Sequence, residues 1–156
     1  MEKKDIIPNQ IYYTTNLEIL AEVVEKNERI KNSDFLKSEF LKSLISYAIN
    51  KNGIVLVSFN EEKKLNGCVV LSRHLDEQGE YIFFDFRWLD PANYKELMHK
   101  YYNEVIGTAK VRGIKRIQGT AGRCFRVAEK YYHAHEISRN FEINVEEAEM
   151  KDDNEA

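Results

Sequence analysis

The sequence is poor in the residues that would make it anything other than an ordinary folded domain. Two cysteines, Cys68 and Cys124, cannot make a disulfide scaffold, and neither stands in a C-x-x-C or Cys/His spacing that would hold a metal. Each sits in a stretch that reads as packed structure, so both are expected as buried free thiols. Two prolines and seven glycines in 156 residues exclude a long Pro/Gly linker. No apolar run reaches the roughly 18 residues needed to cross a bilayer. The start, Met1-Glu-Lys-Lys-Asp5, is charged and lacks the apolar core of a signal peptide. No membrane association is expected, and the cytoplasm is the expected location. His133 and His135 are two apart with no third ligand near, so they are read as helix-end or surface residues and no metal site is assigned.

What remains is 43% hydrophobic and 31% charged, enough for one real core. Ile11–Thr15 is β-prone and reads as a short first strand. Leu17, Leu20, Ala21 and Val24 recur at helical spacing. After the N-cap candidate Ser33, a second helix carries Leu36, Phe40, Leu41, Leu44, Ile45 and Ala48 on one face, with Asn52-Gly53 as its stop. The period then changes. Apolar runs at 54–59, 68–71 and 81–89, parted by short polar loops, predict an antiparallel meander. Strict alternation along the third run puts Ile82, Phe84, Phe86 and Trp88 on one face and Asp85 with Arg87 on the other. Asp90-Pro91 opens a long helix that Gly113 closes. A strand at 114–118, the turn Gly119–Gly122, a helix through Phe125, Ala128 and Tyr132, and a last strand at 137–145 complete the order.

That order, (β)-α-α-β-β-β-α-β-α-β, predicts an α/β (α+β) fold with a mixed sheet and helices on both faces. Residues 1–145 form the expected domain. Residues 146–156 carry a net charge of −5 and almost no apolar side chain, so they read as a disordered acidic tail, leaving +2 on the rest. Seven of those cations fall between Lys110 and Lys130, opposed in sequence only by Glu129. Nucleic acid is not the expected partner, because the whole chain is acidic and shows no nucleic-acid motif. The doublets Tyr12-Tyr13, Tyr101-Tyr102 and Tyr131-Tyr132 predict one exposed tyrosine in each pair, a place for a second copy of the chain or another partner.

The order of elements resembles the GNAT superfamily of N-acyltransferases. Ala109-Lys-Val-Arg-Gly-Ile-Lys-Arg-Ile117 looks like the end of that family's long helix, its glycine and the next strand. Ala128-Glu-Lys-Tyr-Tyr132 looks like its following helix, and Arg139-Asn-Phe-Glu-Ile143 like its last segment. The resemblance implies transfer of an acyl group from acetyl-CoA or another acyl-CoA to an amine, a small molecule or a protein N-terminus or lysine. It implies Asp85 as the base and Tyr131 or Tyr132 as the acid that protonates the leaving thiolate. Coenzyme A would lie along Leu89 and Lys95 and the second turn, at Thr120, Gly122 and Arg123. Three other readings stand beside these: Asp85 paired with Arg87, the tyrosines as packing residues, and 119–123 as a plain strand–helix turn. The family's Gln/Arg-x-x-Gly-x-Gly/Ala loop falls on Trp88-Leu-Asp-Pro-Ala-Asn-Tyr-Lys-Glu-Leu97, which has no glycine. There Asp90 is a cap and Pro91 lacks an N–H. The alternative is therefore a non-catalytic protein of this fold, a protein- or polyanion-binding module similar to small GNAT-like proteins of phage and prophage genomes.

Overall fold

The computed structural model describes residues 5–120, 123–135, 137, 144, 146 and 147, except the side chains of 123–125 and 127. Two compact units result, Met1–Thr120 and Ala121–Ala156. The first runs β1 (Tyr12–Tyr13), α1 (Leu17–Glu25), α2 (Asp34–Asn50), β2 (Gly53–Phe59), β3 (Leu65–Asp76), β4 (Gly79–Leu89), α3 (Tyr94–Val111) and β5 (Ile117–Gln118). The second holds α4 (Arg123–Tyr132). The expected last strand at 137–145 falls almost wholly outside the described residues, as does most of the acidic tail.

The helices start where their caps stand. Asn16 accepts the Ile19 N–H at 3.1 Å, and Ser33 accepts that of Leu36 at 3.2 Å. The stop of α2 differs from expectation. The left-handed residue is Lys51, at φ 56, rather than Asn52 or Gly53. Gly113, at φ 69, ends α3 as expected.

The five strands lie in the order β1-β2-β3-β4-β5, antiparallel except for the parallel pair β4–β5. One side of the sheet carries α1 and α2 over a core that includes Leu20, Val23, Leu44, Val57, Cys68 and Val70. Burying each such side chain contributes about 1.5–3 kcal/mol. Cys68 is fully buried, and desolvation pushes its thiol up to about 12, so it is an inert core residue. The opposite side carries α3, where Tyr102 meets Phe84 edge to face at 5.7 Å.

Three expectations need correction. The strand at 114–118 pairs only at Ile117 and Gln118. Tyr101 and Tyr102 are both buried, because α3 presents a broad apolar stripe, from Leu97 and Met98 to Ala109. Strict alternation also fails in β4. Val70 pairs with Phe86 and its neighbour Leu71 with Phe84, so Asp85 is an extra residue, a β-bulge. The bulge resets the faces: Phe84 points to α3, whereas Phe86 meets Phe40 of α2 at 5.6 Å.

Candidate active site

The bulge also aims Asp85. Its side chain turns toward α2, where Oδ2 accepts the Tyr47 hydroxyl at 3.0 Å and Oδ1 accepts the Ser72 hydroxyl at 2.9 Å. Ser72 in turn lies 2.6 Å from His74 Nε2. A serine has one hydrogen, and Ser72 gives it to Asp85, so toward His74 it accepts and the hydrogen resides on Nε2. The imidazole stacks on Tyr81 at 5.3 Å, its cross-strand partner. The result is a directed chain, His74→Ser72→Asp85←Tyr47, ending on an exposed carboxylate. Tyr47's ring presses on Gly53, where a Cβ would come within 2.5 Å of it. Burial, and then the Asp85 charge, push its phenol up to about 12.

Arg87 is not the partner of Asp85. Beyond the bulge it points to the other side, with its guanidinium over the Phe84 ring at 5.1 Å and a long contact of 3.4 Å to the Thr120 carbonyl. It spans the place where β4 and β5 part, since their pairing ends at Phe83–Gln118.

Tyr47 and Ser72, the two residues that hold Asp85, both line a cavity of about 420 Å³ at the end of the sheet. It lies between the last turns of α2 and α3 and the half-buried start of β2. Neither tyrosine of α4 belongs to this first unit. Tyr131 is exposed, with Lys130 Nζ 5.2 Å from its ring centre, and Tyr132 is half-buried with its phenol raised by desolvation.

The expected cofactor residues are scattered. Leu89 closes β4, half-buried, and Lys95 is exposed in the first turn of α3. Thr120 is exposed and gives its carbonyl to Arg87. Gly122 and the side chain of Arg123 lie outside the described residues. Asp90 caps, but not the long helix as expected: its Oδ1 accepts the Ala92 N–H at 3.0 Å and its carbonyl the Asn93 N–H at 3.1 Å, which closes a 3-10 turn at Pro91–Asn93, and α3 starts after it at Tyr94 with no side-chain cap. Together with Pro91, this leaves residues 91–93 no N–H for a phosphate.

The basic stretch is also less open than its sequence. Arg116 is held bidentately by Asp76 of the β3–β4 hairpin, and that hydrogen bonding lowers the Asp76 carboxyl below its ordinary value. Tyr47, Ser72 and His74 were not foreseen as site residues. The available signal was a polar residue in the β3 run at the level of Asp85, but the bulge that brings the two together is not visible in the sequence.

No protein-family model matches the chain, and no curated protein does. Solved structures do. A predicted acetyltransferase from Clostridium acetobutylicum, solved with acetyl-CoA, superposes with TM-score 0.72 at 14% identity, over 90% of this chain and 100% of that one. The aminoglycoside 6'-N-acetyltransferase AAC(6')-Ih from Acinetobacter baumannii gives 0.65 at 13%, over 87% and 98%. The glucosamine-6-phosphate N-acetyltransferase from Arabidopsis thaliana gives 0.65 at 10%, over 87% and 97%. No helix among the described residues is long and apolar enough to cross a membrane. Sequence identities this low speak for architecture alone, and by architecture this chain has the fold of the GNAT acetyltransferases.

Proposed function

We propose that the protein is an N-acyltransferase that moves an acyl group from an acyl-CoA to an amine, with Asp85 as the base. The observation that carries this reading is the bulge. It sets one carboxylate where β4 and β5 part, fixed by two donors that themselves line a cavity large enough for a small acceptor. The acetyltransferases that share this fold point the same way.

The opening past Phe83–Gln118 fits an anionic acyl carrier in one respect. The group spanning it is a cation, Arg87, whose contact with Thr120 is long enough to be exchanged. Arg87 and Lys95 would hold the carrier's phosphates in place of backbone N–H groups, with Leu89 and Thr120 beside them. The carrier supplies the activated thioester. Asp85 takes the proton from the attacking amine, and Tyr47 and Ser72 keep the carboxylate aimed. The coenzyme departs as its thiolate and takes a proton from solvent.

A second reading is favoured by Asp90. Its carboxylate and the proline after it occupy the turn that leads into α3, where they meet an approaching phosphate with a negative charge and no N–H. On that reading the chain keeps the scaffold and works as a binding module. Acetyl-CoA titration separates the two. Ligand at 100 times its dissociation constant stabilises a fold by about 2.7 kcal/mol. The enzyme reading expects a clear thermal shift, larger in Asp90→Asn, where like-charge repulsion is removed. No shift at millimolar acetyl-CoA, in either form, leaves only the binding module.

A further inference from the structure

The cavity beside Asp85 has a one-sided charge. Its floor is apolar, with Leu44, Val55, Leu71, Ile82 and Ile114 all buried. Lys51, Arg73 and Arg112 line it, and no aspartate or glutamate does. Arg73 is neutralised by Glu80 across the hairpin. Lys51 and Arg112 have no carboxylate partner among the described residues.

Both cations sit at helix ends, Lys51 just past α2 and Arg112 just past α3. Each helix end carries about half a negative charge. Two full positive charges exceed that, so the mouth of the cavity is net positive. Opposite them stand the hydroxyls of Tyr47 and Ser72, both held by Asp85, which itself does not line the cavity; Tyr47 lies one turn before Lys51, about 6 Å along the helix axis. Two hydroxyl oxygens free to accept at one end and unpaired cations at the other, over an apolar floor, complement a molecule with a donating amine at one end and an anion at the other.

We propose that this cavity binds a small amine joined through a short apolar body to an anionic group, carboxylate or phosphate. The amine faces the hydroxyls of Tyr47 and Ser72, behind which Asp85 stands, and the anion faces Lys51 and Arg112. That such a molecule is the acyl acceptor rests on the acyltransferase reading; the anion site rests on the cavity alone.

Calorimetric titration without any acyl donor tests it. The probes are 6-aminohexanoate and 6-aminohexyl phosphate, against methyl 6-aminohexanoate, which lacks the anion, and 1,6-diaminohexane, which replaces it with a cation. Both anions are expected to bind at least about fivefold more tightly than the ester, the diamine more weakly still, and the preference falls with salt. The ratio of the two anions tells carboxylate from phosphate. Lys51→Gly combined with Arg112→Gln removes both cations. Glycine takes φ 56 without steric strain, so this variant folds, a thermal melt checks it, and its preference for anions disappears. Equal binding of ester and anion, tighter binding of the diamine, or a preference that survives in the double variant overturns the proposal. Anion binding with no acyl transfer from acetyl-CoA keeps the cavity site and removes the acyltransferase reading. Transfer to ester and anion with equal KM does the reverse.

Discussion

Two hydrogen-bonded chains of side chains cross the same sheet, and each starts at a tyrosine on a helix. On the α3 side, Tyr101 donates to Ser58 at 2.8 Å, Ser58 to Asn66 at 2.7 Å, and Asn66 to Asn9 at 2.7 Å. On the α2 side, Tyr47 donates to Asp85, which also receives Ser72, with His74 behind it. The first chain is neutral, and Tyr101, Ser58 and Asn66 are buried. Every hydrogen in it has one direction, so it holds one arrangement and has no proton to exchange. The second ends on an exposed carboxylate beside a cavity. The same building blocks make a sealed, neutral chain on one side of the sheet and, on the other, a chain whose end is charged and reachable.

The largest effect that could break this contrast is in turnover. Asp85→Ala is expected to lower acyl transfer about 10²–10⁴-fold, with acetyl-CoA binding and the melting temperature nearly unchanged. A variant that melts well below the wild type would place Asp85 with the structural chain. Next is Gly67→Ala, whose new Cβ would stand 2.9 Å from Ser58 Oγ and 3.0 Å from Tyr101. Denaturant titration should show a loss of about 1–3 kcal/mol. Tyr101→Phe removes one donor from the sealed chain and should cost about 1–2 kcal/mol while leaving transfer unchanged. Tyr47→Phe should differ from it by slowing transfer, about tenfold, through a less fixed Asp85, beside its own loss of stability at neutral pH.

That last variant also sharpens the contrast at high pH. Tyr47's folded-state value of about 12 lies above its ordinary 10, so its contribution to stability is complete below pH 10 and is lost as pH rises toward 12. Tyr101, raised by burial, adds a further alkaline loss of its own. In melts between pH 10 and 12, Tyr47→Phe should have a shallower decline than the wild type. An unchanged slope would mean that Tyr47 is not held against Asp85.

Much of the fold was legible because local chemistry repeats it. Ser33 caps where a short polar residue precedes a helical stripe, and three apolar runs become three strands. Of the side chains gathered at the candidate site, the sequence singled out only Asp85. Period-two alternation gave Asp85 the side of Arg87, and one extra residue in β4 undid that assignment. A bulge leaves no composition signal, and Tyr47 approaches from 38 residues away. The overlooked burial of both Tyr101 and Tyr102 has a similar cause, since the width of the face that α3 buries depends on what packs against it.

The most direct test of the account follows thiol release from acetyl-CoA with 6-aminohexanoate as acceptor, comparing the wild type, Asp85→Ala and Tyr101→Phe at equal fractions folded. The account predicts transfer by the wild type and by Tyr101→Phe, and loss of at least about 10²-fold in Asp85→Ala with acetyl-CoA still bound. Equal rates in the wild type and Asp85→Ala, or no acetyl-CoA binding in any of the three, would contradict it.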